Sequence, residues 1–228
     1  MKCVILQPSY IPWRGYFHQI QKADVFVHFD DVQFDKRGWR NRNQIKTDTG
    51  LRWLTIPVLS KGHQETGLLI KDTHICWDSD WIGSHWKSIE MAYRRAPYFM
   101  EYADRLEPIF HTHPEMLSDF TIQLTELIAG MLGIDETRFV RASTLSTSGT
   151  KTDHLLDICR KLGATHYISG PSAKDYLDEG LMLDNGISVE YMRYDYAEYT
   201  QLYGSYEPAV SALDLLFMAG PEAGKYIW

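Results

Sequence analysis

Apolar and polar positions alternate in blocks that change period along the chain. Residues 2–6 form a short apolar run ending at Gln7-Pro8, which predicts a first buried strand. In residues 13–22, Tyr16, Phe17 and Ile20, with Ala23 just beyond, fall on one helical face, and Pro12 suits the entry to a helix. Residues 25–29 read as a second buried strand. Two such strands separated by one helix predict a parallel pair joined by a right-handed crossover. Residues 43–47 and 52–57 flank Asp48-Thr49-Gly50 and predict a hairpin, and residues 59–67 read as a flexible loop. Between residues 79 and 133 the period becomes helical. Trp81, His85, Ile89 and Tyr93 recur every four positions, Pro97 and Pro114 interrupt, and Gly133 suits a C-terminal cap. Strand-like runs return at 138–142, 166–169 and 187–194, with helices expected at 150–162 and 209–219.

This order predicts an α/β fold, a Rossmann-like three-layer domain on a mostly parallel sheet. The α/β domain is expected to be discontinuous, residues 1–78 and 134–228, with residues 79–133 inserted as a helical segment.

Composition narrows the function classes. The 228 residues carry 23 Lys plus Arg against 30 Asp plus Glu, a net charge of −7, which argues against a nucleic-acid partner. No apolar run is long enough to span a bilayer and the first residues lack a signal-peptide pattern, so a soluble, cytoplasmic protein without membrane insertion is expected. Cys3, Cys76 and Cys159 form no CxxC and read as free thiols in apolar surroundings. Seven Trp, 14 Tyr and 9 Phe bias the chain towards ligands that stack on rings, such as sugars and nucleobases.

The candidate chemistry lies where strands end, the edge at which open α/β sheets bind ligands. Gln7, Tyr10, Trp13, Gly15 and Tyr16 follow the first strand, and Gly15 offers a place for a ligand to approach the helix's amino end. The second strand is followed by Asp30, Asp31, Gln33, Lys36, Arg37, Asn41, Arg42 and Asn43. Here Lys36, Arg37 and Arg42 are candidates for clamping phosphate or carboxylate, and Asp30 or Asp31 for a base, with His18 as a third candidate. Residues 148–152 resemble a small anion nest at a helix start, although an ordinary cap fits Thr150 better. Gly170, Lys174 and Tyr176 follow a later strand and are expected to face the first loop across one cleft. No metal site is expected, since His111-Thr112-His113 lacks ligand spacing.

These motifs resemble the WbqC-like family, small bacterial proteins encoded among genes for O-antigen and other surface polysaccharides. The resemblance runs through Gln7-Pro8-Ser9-Tyr10-Ile11-Pro12-Trp13-Arg14-Gly15-Tyr16-Phe17, Asp30-Asp31-Val32-Gln33-Phe34, Asn41-Arg42-Asn43-Gln44-Ile45-Lys46 and Ser211-Ala212-Leu213-Asp214-Leu215-Leu216-Phe217. A remoter similarity is to adenylate-forming enzymes such as pantothenate synthetase. Trp13-Arg14-Gly15-Tyr16 falls where their HxGH motif stands, with Trp13 and Tyr16 in place of its two histidines, and Gln33 falls in their Gln-Phe loop. The resemblance implies a Rossmann-like nucleotidyltransferase fold with Gln33 in a substrate pocket. Together the two imply an enzyme of lipopolysaccharide biosynthesis, an acyl or aminoacyl transferase or an amide ligase. Its partners would be a nucleotide-linked amino sugar and a small acyl or amino-acid donor. The alternatives are a sugar-nucleotide-binding or assembly protein and a glycosyltransferase-like enzyme. ATP is a candidate co-substrate, expected to bind weakly because neither Trp13 nor Tyr16 reproduces an imidazole. A homo-oligomer fits this reading equally well.

Overall fold

Five parallel strands stand side by side in the order β5–β2–β1–β6–β7 in the computed structural model, which describes residues 1–60 and 67–228. They are β1 (Lys2–Leu6), β2 (Val25–His28), β5 (Arg138–Arg141), β6 (His166–Ser169) and β7 (Ser188–Tyr191). Their side chains divide by the period of two. Val4, Phe26 and Ile168 enter one buried apolar cluster, while Cys3, Ile5, Val25, Val27 and Tyr167 enter a second on the opposite face. A sheet buried on both faces explains why these strands read as unbroken apolar runs.

The right-handed crossover rule then decides which helix covers which face. Helix α1 (Arg14–Lys22) and the long segment between β2 and β5 both step towards the β5 edge. Both pack on the first face, where Phe17 and Ile20 join the core. That segment carries α2 (Trp81–Tyr93), α3 (Phe99–Leu106) and α4 (Leu117–Met131), whose apolar stripes belong to the same cluster. Helices α5 (Thr152–Leu162) and α6 (Glu179–Asp184) step the other way, and their Leu155, Ile158 and Met182 fill the second face. Helix α7 (Ala212–Ala219) returns to the first. The result is a three-layer, Rossmann-like domain. Because β1 is flanked by β2 and β6, the chain's direction of travel reverses there, and a crevice opens beyond its carboxyl end.

The predicted elements shift only at their ends. The first helix begins at Arg14 with Trp13 as its uncapped entry residue, and the later one at Thr152 rather than 150. The hairpin consists of β3 (Arg42–Thr47) and β4 (Gly50–Thr55), paired from Arg42 opposite Thr55 to Thr47 opposite Gly50. Gly50, at φ +110°, supplies the left-handed conformation that this turn demands. The stretch from 79 to 133 divides where Pro97 and Pro114 stand. Helix α6 is absent from the sequence reading because six residues carry too little periodicity; the Asp178 carboxylate caps it by accepting from the Leu181 N–H. Residues 61–66 of the expected loop at 59–67 lie outside the described residues. Among the described residues no helix is long and apolar enough to cross a membrane.

One predicted binding residue belongs to this core instead. Tyr10 is fully buried, and its hydroxyl pairs with His85 Nδ1 at 2.9 Å. Burial holds His85 down to about 4 despite its hydrogen bond with the Thr55 backbone. The imidazole is therefore neutral in the folded chain and can accept from Tyr10. Unfolding returns it to its ordinary value near 6.5, so the unfolded state binds more protons as pH falls between 6.5 and about 4. His85 thus contributes a loss of up to ~3 kcal/mol on acidification through that window. Urea midpoints at pH 7 and pH 5 are expected to differ more in the native chain than in a His85→Gln variant; equal differences would remove His85 as the cause.

Candidate functional site

Two cavities adjoin at the carboxyl end of β1, sharing Leu6, Gln7 and Arg40. The larger, about 680 Å³, lies on the α5 side and is lined by Asp31, Gln33, Thr147, Lys151, His154 and Tyr176 among others. The smaller, about 470 Å³, lies on the α1 side and is largely aromatic, with Trp13, Tyr16, Trp39 and Tyr194 around Asn43 and Gly170. Three loops named from sequence, those after β1, β2 and β6, therefore contribute walls to one composite cleft.

Arg40 stands at the junction. Its Nη1 donates to the Gln7 carbonyl at 3.1 Å, while its Nε is buried without a partner among the described residues. Burial lowers its proton affinity, partly offset by Tyr16 and Asp35. The Tyr16 hydroxyl donates to the same Gln7 carbonyl at 3.2 Å. The loop after β1 is thus pinned by a cation and a phenol, and both reach into the cleft.

In the larger cavity three groups converge. Thr147 Oγ1 lies 3.3 Å from Asp31 Oδ2 and 2.9 Å from His154 Nε2, and that same nitrogen lies 3.3 Å from Asp31 Oδ2. Asp31 Oδ1 is buried without a partner among the described residues. The hydroxyl and the carboxylate meet the same imidazole nitrogen, and among the described residues no ion pair is formed at the other one. This differs from a nucleophile relay, where base and orienting acid occupy opposite nitrogens. The trio instead suits binding a cationic or hydrogen-bonding group and moving its proton. Lys151, at φ +51°, brings a cation to the same cavity beside Gly149, Thr150 and the amino end of α5.

Several predicted residues are placed elsewhere, each for a physical reason. Asp30 is 0% exposed. Its carboxylate accepts from Arg141 Nε at 3.0 Å, from the Ser143 N–H at 2.9 Å and from Ser143 Oγ at 2.8 Å, which leaves it structural and away from the cleft. His18 lies in a separate groove over β7, with Nδ1 2.9 Å from the Tyr196 hydroxyl and its proton affinity lowered by burial and then by Lys22. Lys174 lines that groove too, with Nζ 4.9 Å from the centre of the Tyr191 ring. Lys36 and Arg37 are exposed outside both cavities, and Arg42 stacks 4.6 Å from the Trp53 ring centre while donating to the Arg37 carbonyl. Asn41 is buried and donates to Ile56. Asn43 borders the aromatic cavity, but its amide is occupied by the carbonyls of Tyr10 and Ile11.

The glycines also differ from expectation. A Cβ on Gly15 would stand 2.3 Å from the Trp13 indole, so that ring covers the helix start where a ligand was expected to approach. At Gly170 a Cβ would meet only the Tyr194 hydroxyl at 3.6 Å, an ordinary contact. Arg40, His154 and Thr147 are absent from the sequence reading. Only the loop positions of Arg40 and Thr147 after strands hint at them, and His154, within α5, sits among apolar neighbours that read as one helix face.

The family model for WbqC-like proteins matches residues 7–226, a range that includes every polar and aromatic wall residue of the cleft named above. The chain is similar to the uncharacterised protein Rv1507c of Mycobacterium tuberculosis, at 44% identity over 233 residues, covering 99% of this chain and 97% of that one. No solved structure gives a significant match.

The contact between Trp13 and Gly15 predicts coupled substitutions. Gly15→Ala should force the indole out of place and cost ~1–3 kcal/mol, the scale of overpacking. In Trp13→Ala the added methyl meets no ring, so the double variant should lose clearly less than the sum of the singles. Urea unfolding of the four proteins measures this, and additive losses would show that the ring gives way freely.

Proposed function

Because the chain belongs to the WbqC-like protein family, we propose that it is an enzyme of bacterial surface-polysaccharide biosynthesis. In this reading it forms an amide between a small carboxylic or amino acid and the amino group of a nucleotide-linked amino sugar. The observation that carries the reading is the meeting of Asp31, His154 and Thr147 in a polar cavity joined through Arg40 to an aromatic one. An amino group is the substrate function that such a trio fits, because Asp31 Oδ1 can accept its N–H while the adjoining imidazole takes up a proton. The aromatic side suits a planar ring, and Arg40 and Lys151 suit negative charge.

The chemistry then needs few protein steps. The sugar nitrogen's lone pair forms a bond to the carbonyl carbon of an acyl donor activated as a thioester or acyl phosphate. The bond to the leaving thiolate or phosphate breaks, and the proton released from nitrogen passes to His154. Asp31 orients the amine and stabilises the imidazolium that results. Gly149, Thr150 and Lys151, at the start of α5, border the same cavity and are the candidate source of N–H donors for the oxyanion.

Incubation of the protein with nucleotide-linked amino sugars and a panel of activated acyl donors, read by mass, tests the reading. A product heavier by one acyl group is expected. Asp31→Asn and His154→Gln should each lower kcat by about 10²–10⁴-fold, the range for a general acid–base group, with little change in thermal midpoint. Tight sugar-nucleotide binding without any mass gain across the panel would replace the enzyme with a binding protein.

A further inference from the structure

At the edge of the aromatic cavity, Trp39 and the hairpin residues Arg42 and Trp53 form an aromatic surface that the proposed chemistry does not use. Trp39 and Trp53 are 44% and 43% exposed, large values for the most costly side chain to leave in water. Their rings lie 5.4 Å apart and 30° from parallel. Arg42 stacks on Trp53, so Arg42, Trp53 and Trp39 form a row. That row ends at the cleft, because Trp39 also lines the aromatic cavity. The two indoles are too close to sandwich a further ring, which would need about 7 Å between them at ordinary stacking distances. A ligand ring therefore stacks against the outer surface of Trp39, with Trp53 and Arg42 behind it.

The order of groups along the cleft identifies the ligand's chemistry. Trp39 stands at the mouth of the aromatic cavity. Its neighbour Arg40 stands at the junction of both cavities, with a buried Nε that has no partner among the described residues. Asp31 and His154 follow in the polar cavity. Aromatic ring, cation and amine-binding carboxylate succeed one another as do the base, diphosphate and amino sugar of one molecule. A nucleotide-free saccharide would stack on a tryptophan equally well but offers nothing to a buried guanidinium between the ring and the carboxylate.

We infer that Trp39, backed by Trp53 and Arg42, is the nucleobase subsite and that Arg40 receives the diphosphate, an assignment that rests on the reading of the cleft as a nucleotide-sugar site. It makes Trp39 and the hairpin that backs it a specificity element, since the base is held by a part of the chain remote from the reacting amine.

Binding of UDP, followed by tryptophan fluorescence and calorimetry on the full chain, tests this. Trp39→Ala should weaken UDP binding about 5- to 50-fold and Trp39→Phe only slightly, as expected for loss and retention of one base stack. Trp53→Ala, which borders neither cavity, should weaken it about 2- to 5-fold, and Trp228→Ala not at all. In the acylation assay Trp39→Ala should raise KM for the nucleotide sugar at unchanged kcat. If no donor is ever transferred while UDP binding still depends on Trp39, the proposed reaction falls and the subsite stands. Unchanged UDP affinity in both Trp39→Ala and Trp53→Ala, or an equal loss of affinity for the free amino sugar, would overturn the subsite.

Discussion

The cleft depends on one buried amide. Asn43, on the first strand of the hairpin, donates to the carbonyls of Tyr10 at 3.1 Å and Ile11 at 2.8 Å, while its own Oδ1 receives the Gln44 N–H at 2.8 Å. Between those carbonyls the backbone turns through φ +36° at Ile11, a conformation that a β-branched residue adopts only under constraint. Strain of that kind costs on the order of 1–3 kcal/mol and persists only where the surroundings over-determine it. Here they do, because Ile11 and Tyr10 are wholly buried and the Tyr10 N–H also bonds to the Trp39 carbonyl. The turn sends Tyr10 into the core and Trp13 to the cavity wall. The clamp acts with the Tyr10 N–H bond to Trp39 and the Arg40 bond to the Gln7 carbonyl to fix the loop after β1 against the chain that leads into the hairpin.

A second constraint is the division of charge. Asp30 and Asp31 are neighbours, yet one neutralises Arg141 inside the fold and the other opens into a cavity. Arg14 and Arg40 divide likewise. Arg14 is buried beside Tyr196 and bonded to the carbonyls of Ala197 and Tyr226, which fastens the last segments of the chain to the first helix. Arg40 is held by one carbonyl and keeps donors for the cleft. Arg141 and Asp30 are thus matched inside the fold, whereas Asp31 Oδ1 and Arg40 Nε, both at the cleft, are buried without a partner among the described residues.

Much of the architecture was legible from period alone. The runs at 2–6 and 25–29, with one amphipathic helix between, dictate a parallel pair, and the handedness of crossovers then dictates the faces. The loops at strand ends were legible as walls for the same topological reason. Individual side chains were not. Whether Asp30 or Asp31 points outward depends on Ser143 and Arg141, more than a hundred positions later. Lys36, Arg37 and Arg42 read as a clamp because they are cationic and close in sequence, but Lys36 and Arg37 are exposed on the loop before the hairpin and Arg42 lies against Trp53. His154 is hidden inside an apolar stripe, and Tyr10 reads as polar loop because nothing local announces its partner, His85. Spacing reports direction well along a strand or helix and poorly in a loop.

The central strand has a consequence for the order in which the molecule can be built. β1 pairs on one side with β2, some 22 positions away, and on the other with β6, where Lys2 faces His166. A chain leaving the ribosome can close the first pairing early, but one edge of β1 stays open until more than 160 residues have been made. Through that interval its unpaired N–H and C=O groups and the apolar Val4 and Ile5 are a template for wrong partners. Long-range pairing of this kind is slow, so the ligand crevice, whose walls include residues that follow β6, is among the last features to exist. The helical segment that covers the first face precedes in the chain both helices that cover the second, α5 and α6.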